Sequence, residues 1–336
     1  MKRPQPKHAF RPPTGHRRPI RRGCRAVVVV TATVGALAAS VVAGASASPR
    51  TAATIGAAAS AGSATTTAKP QAAAGGKIYF GVDGTVSTAA NGMNLARHVY
   101  GQLGGSVPNA RMVTMGTSGL SYSQIAGAQP GSSTYANIVR WADTIKDRGT
   151  LTFFGFQHEP ESKDQARFGS ASQYIAAYRH VADIIRAQNV DNVKFVWQVT
   201  AFAFRRTDSK AAIHYYPGDN YVDDVGADPY NWGDCRGGDK WVQLSTVTDP
   251  VLAFARAHGR QVVLAEFGSD SGSGRAAWLD SAHQYLIANR DLIRAAFYFD
   301  RPPTTSAGAG CHWSLTSGAD VAAFRAIVDD STYFTS

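Results

Sequence analysis

From Lys77 to the C-terminus, short β-forming runs alternate with amphipathic helical segments, and this alternation is the feature that most limits the fold. Thr150–Phe156 and Gln261–Ala265 are rich in β-branched and aromatic residues, whereas Tyr135–Asp147 places its apolar residues at helical spacing. Strands that alternate with helices are typical of a parallel sheet, because parallel neighbours need a long crossover connection. The chain from Lys77 therefore predicts an α/β fold.

The number of strand segments distinguishes between the two common parallel folds. Eight strands are predicted, at Lys77–Asp83, Arg111–Gly116, Ser123–Ala128, Thr150–Phe156, Asn192–Val199, Tyr221–Ala227, Gln261–Ala265 and Arg294–Phe299, and a helix is predicted at Asn91–Leu103. Eight strands in about 260 residues fit a (β/α)₈ TIM barrel. The alternative, an open doubly wound sheet, would carry a glycine-rich phosphate loop after its first strand, and the turn at residues 81–85 lacks that pattern.

The positive charge of the chain is concentrated at its N-terminus. The formal net charge is +10, but residues 1–47 hold nine Lys and Arg residues and neither Asp nor Glu. Beyond residue 47 there are 25 basic and 24 acidic residues, so this part of the chain is nearly neutral. Because the rest of the chain is nearly neutral, the overall positive charge does not indicate nucleic acid or an anionic membrane surface as a partner of the folded part.

The N-terminal segment is predicted to direct export. The apolar run Ala26–Ala45 follows the basic start and leads into Ala45-Ser46-Ala47, a small-x-small cleavage pattern. Residues 1–47 are therefore interpreted as a signal peptide, with an uncleaved membrane anchor as the alternative, because about 20 apolar residues can span a bilayer. Residues 48–76, almost entirely Ala, Ser, Thr and Gly, are predicted to be a flexible linker to a catalytic domain at 77–336. A secreted, extracellular monomer is expected.

Carboxylates follow several predicted strands, at the end of the barrel where TIM barrels carry their active sites. Asp83, Asp228 and Asp300 are interpreted as helix caps, a common role for Asp. Glu159 and Glu266 need another explanation, because glutamate is a poor cap and each emerges from an apolar strand. Cleavage of a glycosidic bond uses two carboxyl groups that flank it. We therefore predict Glu159 as the acid/base and Glu266 as the nucleophile of a retaining glycoside hydrolase.

Four segments, in order along residues 77–336, resemble glycoside hydrolase family 26, the β-mannanase family of the clan A barrels. They are Ile138–Gly149 with the strand leading to His158-Glu159, then Val196-Trp197, then Tyr216–Asp223 with Val225–Tyr230, and finally Ala265–Gly268. The resemblance implies a polysaccharide or oligosaccharide substrate and an endo-acting enzyme on β-mannan or a related β-linked polysaccharide. It also implies that Tyr230 binds the nucleophile and that His158 helps to position or protonate the site.

Two departures from the family's pattern concern the substrate. Gly155 stands where the family usually has Arg, and Pro160-Glu161-Ser162 replaces Met-Asn-Gly after the first glutamate. Both changes remove hydrogen-bond donors that would bind sugar hydroxyls, so the specificity for mannan is open. The alternative substrate is β-1,3-xylan or a β-glucan. A barrel that binds carbohydrate without cleaving it is the alternative function.

Aromatic residues near the strand ends are candidate sugar platforms, because ring faces pack against the C–H face of pyranoses. They are Trp197, Tyr230, Trp232 and Trp313, and core packing is the competing interpretation for each. Cys235 and Cys311 form an even pair once Cys24 leaves with the signal peptide, which predicts one disulfide in an oxidising compartment, with two free thiols as the alternative.

Metal and cofactor chemistry is not expected. Ser162 stands where a zinc-binding His-Glu-x-x-His motif would place its second histidine, and no Cys-x-x-Cys occurs. No Gly-x-Ser-x-Gly nucleophile elbow is present at a strand-to-helix turn.

Overall fold

The computed structural model describes residues 75–83, 90–162, 165–233, 235, 240–301, 310–316 and 318–336. The predicted signal peptide at 1–47 lies outside these residues, as does the predicted linker at 48–76 except for Gly75 and Gly76. Among the described residues, no helix combines the length and apolar character that a membrane span requires.

The described residues form a closed barrel of eight parallel strands, which confirms the predicted (β/α)₈ fold. The strands are β1 Ile78–Asp83, β2 Ala96–Gln102, β3 Met112–Gly116, β4 Thr152–Phe156, β5 Val193–Thr200, β6 Asp224–Asp228, β7 Gln261–Ser269 and β8 Ile293–Tyr298. Each strand pairs with the next, and β8 pairs with β1 to close the barrel. Two-residue strands at Tyr230–Asn231 and Phe334–Thr335 extend the sheet beside β7 and β1.

Helices connect most of the strands. They are α1 Tyr122–Ala126, α2 Ser133–Asp147, α3 Ala171–Ala187, α4 Leu244–Ala257, α5 Arg275–Ala288 and α6 Gly318–Asp329, with 3₁₀ turns at Ala166–Phe168, Ala201–Arg205 and Ala212–Tyr215. Ser121 and Ser170 each begin a helix with a reciprocal capping box, which satisfies backbone donors that the first turn leaves free. The large core lies between the helices and the outer face of the barrel, and it includes the predicted inward face of α2.

The inside of the barrel changes from apolar to polar along the strands. One layer is apolar and consists of Ala96, Met112, Phe153, Val196, Val263, Ala265, Ala295 and Phe297. Side chains two residues apart on a strand share a face, so the next layer toward the C-terminal ends includes His98, Thr114 and Gln198, all buried. The apolar layer closes the barrel, and the polar layer supports the residues at its open end.

Two of the element predictions were wrong, although the count of eight strands was right. Residues 96–102 form strand β2 rather than part of a helix, and Tyr122–Ala126 is helix α1 rather than a strand. In β2 the inward positions include His98 and Tyr100, so the alternation of apolar and polar residues that identifies a strand is lost. The assignment failed because these polar side chains face the functional end of the barrel.

Candidate active site

Glu266 occupies the centre of the site, on β7 just after the apolar inner layer. Its carboxyl oxygens are held separately: Tyr100 donates its hydroxyl to Oε1, and Tyr230 donates to Oε2 at 2.6 Å. Burial and the neighbouring Glu266 carboxyl raise the pKa of both tyrosines well above their usual value, so the hydroxyls remain protonated donors. The two donors fix the carboxylate and leave it with only 9% of its residue surface exposed.

Asp228, at the end of β6, is hydrogen-bonded to the backbone of Glu266. Asp228 Oδ1 accepts from the backbone N–H of Glu266 at 3.1 Å, and the carboxyl accepts from Nε2 of Gln198 at 3.0 and 3.1 Å. Burial raises the pKa of Asp228 well above its usual value, and the charges of Glu266 and Glu159 add to the shift. Both glutamates therefore act electrostatically on the same buried aspartate.

The electrostatics of Glu266 reflect opposing effects. Burial and the Asp83 charge raise the pKa of Glu266 to about 7, while the two tyrosine hydroxyls and His98 act in the opposite direction. Because Asp228 and Glu266 are close neighbours, their protons leave in two coupled steps. The two carboxyl groups therefore titrate as a pair, and both accept hydrogen bonds that favour their ionised forms.

Glu159 follows β4 on a constrained backbone. Gln157 and Glu159 have φ angles of 48° and 45°, in the left-handed region that residues other than glycine seldom adopt. The backbone N–H of Glu159 donates to the carbonyl of Gln198 at 3.0 Å, which ties this turn to β5. Left-handed backbone at a turn that carries a carboxyl group is often found at functional sites.

Two cavities lie on either side of the turn that carries His158 and Glu159. A cavity of about 650 Å³ is lined by Tyr100 and His158, together with polar side chains of β2–β4 and the 165–168 segment. A second, of about 470 Å³, is lined by Glu159, Asp228, Tyr230 and Trp232. Since Tyr100 and Tyr230 both bind Glu266, its carboxyl lies between the walls of the two cavities. Clefts of this size accommodate small ligands.

His158 lies in the wall of the larger cavity, with its ring 4.8 Å from that of Tyr100. Burial lowers the pKa of His158 to about 4, and the charge of His98 contributes to the shift. At neutral pH the imidazole is therefore uncharged, so one ring nitrogen donates a hydrogen bond and the other accepts one.

The aromatic candidates separate into two groups. Tyr230, Trp232 and Trp313 form a cluster with ring centroids 4.7–5.4 Å apart, at the rim next to Glu266. Trp197 was wrongly predicted as a sugar contact: it has no exposed surface, and its ring packs against Tyr216 and Phe254 in the core. Residues of β5 alternate between the two faces, and Trp197 faces the helices while Gln198 faces the barrel.

Several residues at the site were missed or misread from the sequence. Asp83 contacts Arg301 and lies 3.1 Å from His98, and Asp228 binds Gln198, so neither is a helix cap. Asp300 accepts from the backbone N–H of Leu315 at 2.9 Å and lies outside the site's hydrogen-bond network. His98 and Tyr100 lie at alternate inward positions of β2, and a correct assignment of that strand would have pointed to them. Gln198 was missed although its strand β5 was predicted correctly, because the sequence does not show which face of β5 is inward.

The predicted disulfide is confirmed. Cys235 and Cys311 are bonded, with Cα atoms 5.0 Å apart, and they connect the loops that follow β6 and β8. Asp270 lies beside the two sulfurs, close enough for a three-ligand metal cluster. Bonded sulfurs are not thiolates, and the Asp270 carboxylate accepts from the backbone of His312, so this group is part of the rim.

The two departures in the family's pattern have structural explanations. A Cβ at Gly155 would meet the hydroxyl of Thr114 at 2.7 Å, so this position in β4 has no room for a side chain. Glu161 is buried and accepts from both the backbone N–H and the hydroxyl of Thr200 at 2.7 Å. Gly155 and Glu161, which replace the family's Arg and Asn, therefore take part in the packing and hydrogen bonding at this end of the barrel.

A closed (β/α)₈ barrel with glutamates at the ends of β4 and β7 defines the class of clan A glycoside hydrolases. Residues 132–285, a little under half of the chain, match the sequence model of glycosyl hydrolase family 26.

Individual proteins are similar to the chain over different lengths. Endoglucanase H of Acetivibrio thermocellus is 30% identical over 200 residues, which cover 56% of this chain but only 21% of that protein, so the chain spans about a fifth of its relative. Among solved structures, a GH26 β-mannanase from Bacteroides ovatus shares the fold with a TM-score of 0.51 and 15% identity, covering 77% of this chain and 90% of that one. A modular endo-β-1,4-mannanase from Cellulomonas fimi gives 0.50 and 20%, covering 77% and 71%.

Proposed function

We propose that the protein is a retaining endo-β-glycanase in which Glu266 is the nucleophile and Glu159 the acid/base. The observation that supports this most strongly is the fixation of both Glu266 oxygens by tyrosine hydroxyls, next to a cavity that Glu159 lines. A carboxylate held in this way is oriented for attack before the substrate arrives, which lowers the entropic part of the barrier.

The reaction would proceed in two steps. Glu266 attacks the anomeric carbon as the bond to the leaving oxygen breaks, and Glu159 gives its proton to that oxygen, leaving a glycosyl ester on Glu266. Glu159, now ionised, takes a proton from water, which attacks the same carbon and releases Glu266. Tyr230, Trp232 and Trp313 supply the aromatic rim for the sugar chain.

The substrate is proposed to be a β-mannan or a β-glucan. The solved mannanases are 15% and 20% identical to this chain, so they establish the fold alone. A β-glucan is the second candidate, because the relative at 30% identity is named an endoglucanase and Gly155 stands in place of the family's Arg. Secretion is also proposed, from the N-terminal pattern and the disulfide; a mature mass lacking residues 1–47 in the culture medium would support it.

The decisive experiment compares Glu159→Gln and Glu266→Gln with wild type on a panel of linear mannan, β-glucan and β-1,3-xylan. The chain has only three glutamates, so the exposed helix residue Asp143→Asn serves as the control. We expect the panel to identify one preferred polymer, and both Gln variants to lose at least about 10³-fold in kcat on it.

Aryl glycosides with good leaving groups separate the two roles. Such a leaving group needs little protonation, so Glu159→Gln should still form the glycosyl intermediate and release a burst of phenol, whereas Glu266→Gln should not. Full polysaccharide activity in either variant would contradict the assignment. Binding of oligosaccharide without turnover by wild type would instead support the non-catalytic barrel.

A further inference from the structure

The two cavities that flank the candidate site carry positive charge on their walls. Arg167 lines the larger cavity, and Arg205 and Lys240 line the smaller one. All three residues are exposed, so their charges are available to a ligand. Among the described residues, the larger cavity has no carboxylate in its wall, and the smaller one has only Glu159 and Asp228. The walls away from these two carboxyl groups are therefore cationic.

This positive charge is not a consequence of the overall composition. Beyond residue 47 the chain has 25 basic and 24 acidic residues. A cleft that simply sampled this nearly neutral surface would carry carboxylates on its outer walls about as often as cations. A cleft lined by one sign of charge attracts ligands of the opposite sign and raises their local concentration. The two cavities therefore favour an anionic ligand.

Arg205 and its neighbour Arg206 differ in what they bind. Arg206 forms a bidentate ion pair with Asp208, in which its Nε donates to Oδ1 at 2.7 Å and its Nη2 donates to Oδ2. Both guanidinium groups lie near the ring of Phe202, at 5.7 Å for Arg205 and 5.2 Å for Arg206. Among the described residues, no carboxylate lies within ion-pair distance of Arg205. Arg206 is thus neutralised within the protein, whereas the charge of Arg205 is available in the cavity that it lines.

An aromatic ring accompanies the arginine in each cavity. The Arg167 guanidinium lies 4.7 Å from the ring centroid of Phe168, which also lines the larger cavity. Phe202 is 54% exposed and lines the smaller cavity together with Arg205. An aromatic face packs against the C–H face of a sugar, and the planar fork of a guanidinium matches a carboxylate or sulfate group. Each cavity therefore offers an apolar surface and a cation to the same charged sugar.

We propose that the substrate is an acidic β-linked polysaccharide, with carboxylate or sulfate groups on its sugars, and that Arg167 and Arg205 select it. This substrate class rests on the proposed function, which places the cleavage point between the two cavities. The β-mannan or β-glucan backbone stays as proposed, and the anionic substituents are added to it. The carboxyl groups at the centre of the site repel an anionic chain when they are ionised, and cations on both sides offset this repulsion.

The preference for anions is tested by binding without turnover, on Glu266→Gln protein. The probes are linear mannan and linear β-glucan, each as the neutral polymer, its carboxymethyl form and its sulfated form, in affinity electrophoresis. At about 50 mM salt we expect an anionic form to bind about tenfold more tightly than its neutral parent. This advantage should shrink at about 0.5 M salt, because exposed charges are screened. The tighter of the two anionic forms identifies the group, and equal binding of neutral and anionic forms would overturn the proposal.

Arg205→Gln and Arg206→Gln, both in the Glu266→Gln protein, separate the cavity from the general surface. Each variant loses one positive charge beside Phe202, but only Arg205 lines the cavity. Arg205→Gln should lower the ratio of anionic to neutral affinity by about threefold, and Arg167→Gln added to it by a similar further factor. Arg206→Gln should keep the ratio.

Two results with these variants would contradict the selection of anions by the cavities. Equal losses in Arg205→Gln and Arg206→Gln would indicate general attraction to a basic surface. A loss in Arg205→Gln that is the same for neutral and anionic polymers would show that the guanidinium binds sugar hydroxyls.

Cleavage and charge preference are independent outcomes. If wild type cleaves a neutral polymer and has no preference for its anionic forms, the acidic substrate is excluded and the glycanase assignment stands. If wild type binds the anionic forms preferentially but cleaves none of the polymers, the glycanase assignment is contradicted and the selection of anions by the cavities is supported.

Discussion

At the scale of single residues, the site depends on hydroxyl groups that hold one carboxylate. Tyr100 and Tyr230 come from different strands and donate to different oxygens of Glu266. Their roles are not equal, because the Tyr100 hydroxyl also accepts from Gln198 at 3.0 Å. Removing the Tyr100 hydroxyl would disturb Gln198 and, through it, Asp228. Removing the Tyr230 hydroxyl isolates the effect on Glu266.

Tyr230→Phe should therefore lower kcat by about 10² with little change in stability, because one charge-assisted donor to the nucleophile is lost. The lost donor favours the carboxylate, so the pKa of Glu266 should rise above about 7 and the acid limb should move upward. Steady-state kinetics across pH measure both effects. Tyr285→Phe, which loses a bond to Asp249 on the helical shell, is the control. Unchanged kcat in Tyr230→Phe would exclude this role for the hydroxyl.

At the scale of elements, the strand ends and the turns after them place the reactive groups. The turn after β4 presents His158 to one cavity and Glu159 to the other. It is fastened to β5 by the Glu159 N–H bond to Gln198 and by Glu161, whose Oε1 accepts twice from Thr200. Because Gln157 and Glu159 have positive φ angles, the conformation of the turn depends on such external contacts.

Glu161→Ala should destabilise the protein by about 2 kcal/mol, because the backbone N–H and the hydroxyl of Thr200 both lose their acceptor. The turn should also become less well fixed, so kcat should fall by about tenfold while KM changes less. Urea unfolding and steady-state kinetics give the two values. Glu161→Gln, which keeps one acceptor oxygen, should lie between Glu161→Ala and wild type. Wild-type kcat in Glu161→Ala would show that the turn holds its shape without this contact.

At the scale of the whole molecule, the residues that stabilise the closed barrel and the residues of the candidate site lie in different layers. The apolar inner layer and the large outer core hold the strands, and the polar layer above them carries the charges. The disulfide Cys235–Cys311 connects the loops after β6 and β8, and its cysteines are 76 positions apart in the sequence. It therefore constrains the unfolded chain across the segment that contains Glu266.

Cys235→Ser with Cys311→Ser should lower stability by about 4 kcal/mol, as expected for a closed loop of 76 residues, and Tm by about 10 °C. Thermal unfolding, followed in the oxidised wild type and in the double variant, measures the change. Treatment with reductant should shift wild type toward the variant and leave the variant unaffected. Equal Tm values would show that the bond does not stabilise the fold. Activity below the Tm should remain, because the tyrosines that hold Glu266 lie on strands and not at the bonded cysteines.

Much of this site was accessible from the sequence because strand ends in a parallel barrel meet at one end. Glu159 and Glu266 stood out as glutamates after apolar strands, and Tyr230 was expected beside the nucleophile. His98 and Tyr100 were missed because β2 lacks apolar alternation, and Trp197 was misassigned because the sequence does not show which face of β5 is inward. Asp83 and Asp228 were misread because a strand-end aspartate can cap a helix or pair across the barrel.

The sequence by itself determined the elements that depend on local patterns: the parallel α/β architecture, most strands, the pair of glutamates and the two cysteines of the domain. These follow from periodicity and residue type over a few neighbouring positions. The tertiary structure decided which side chains face inward and which of them meet. Closure of the barrel joins β1 to β8 and brings Asp83, His98, Gln198 and Glu266 into one buried network. The ionisation of the Asp83 and Glu266 carboxyl groups depends on partners from distant strands, so only the folded barrel decides it.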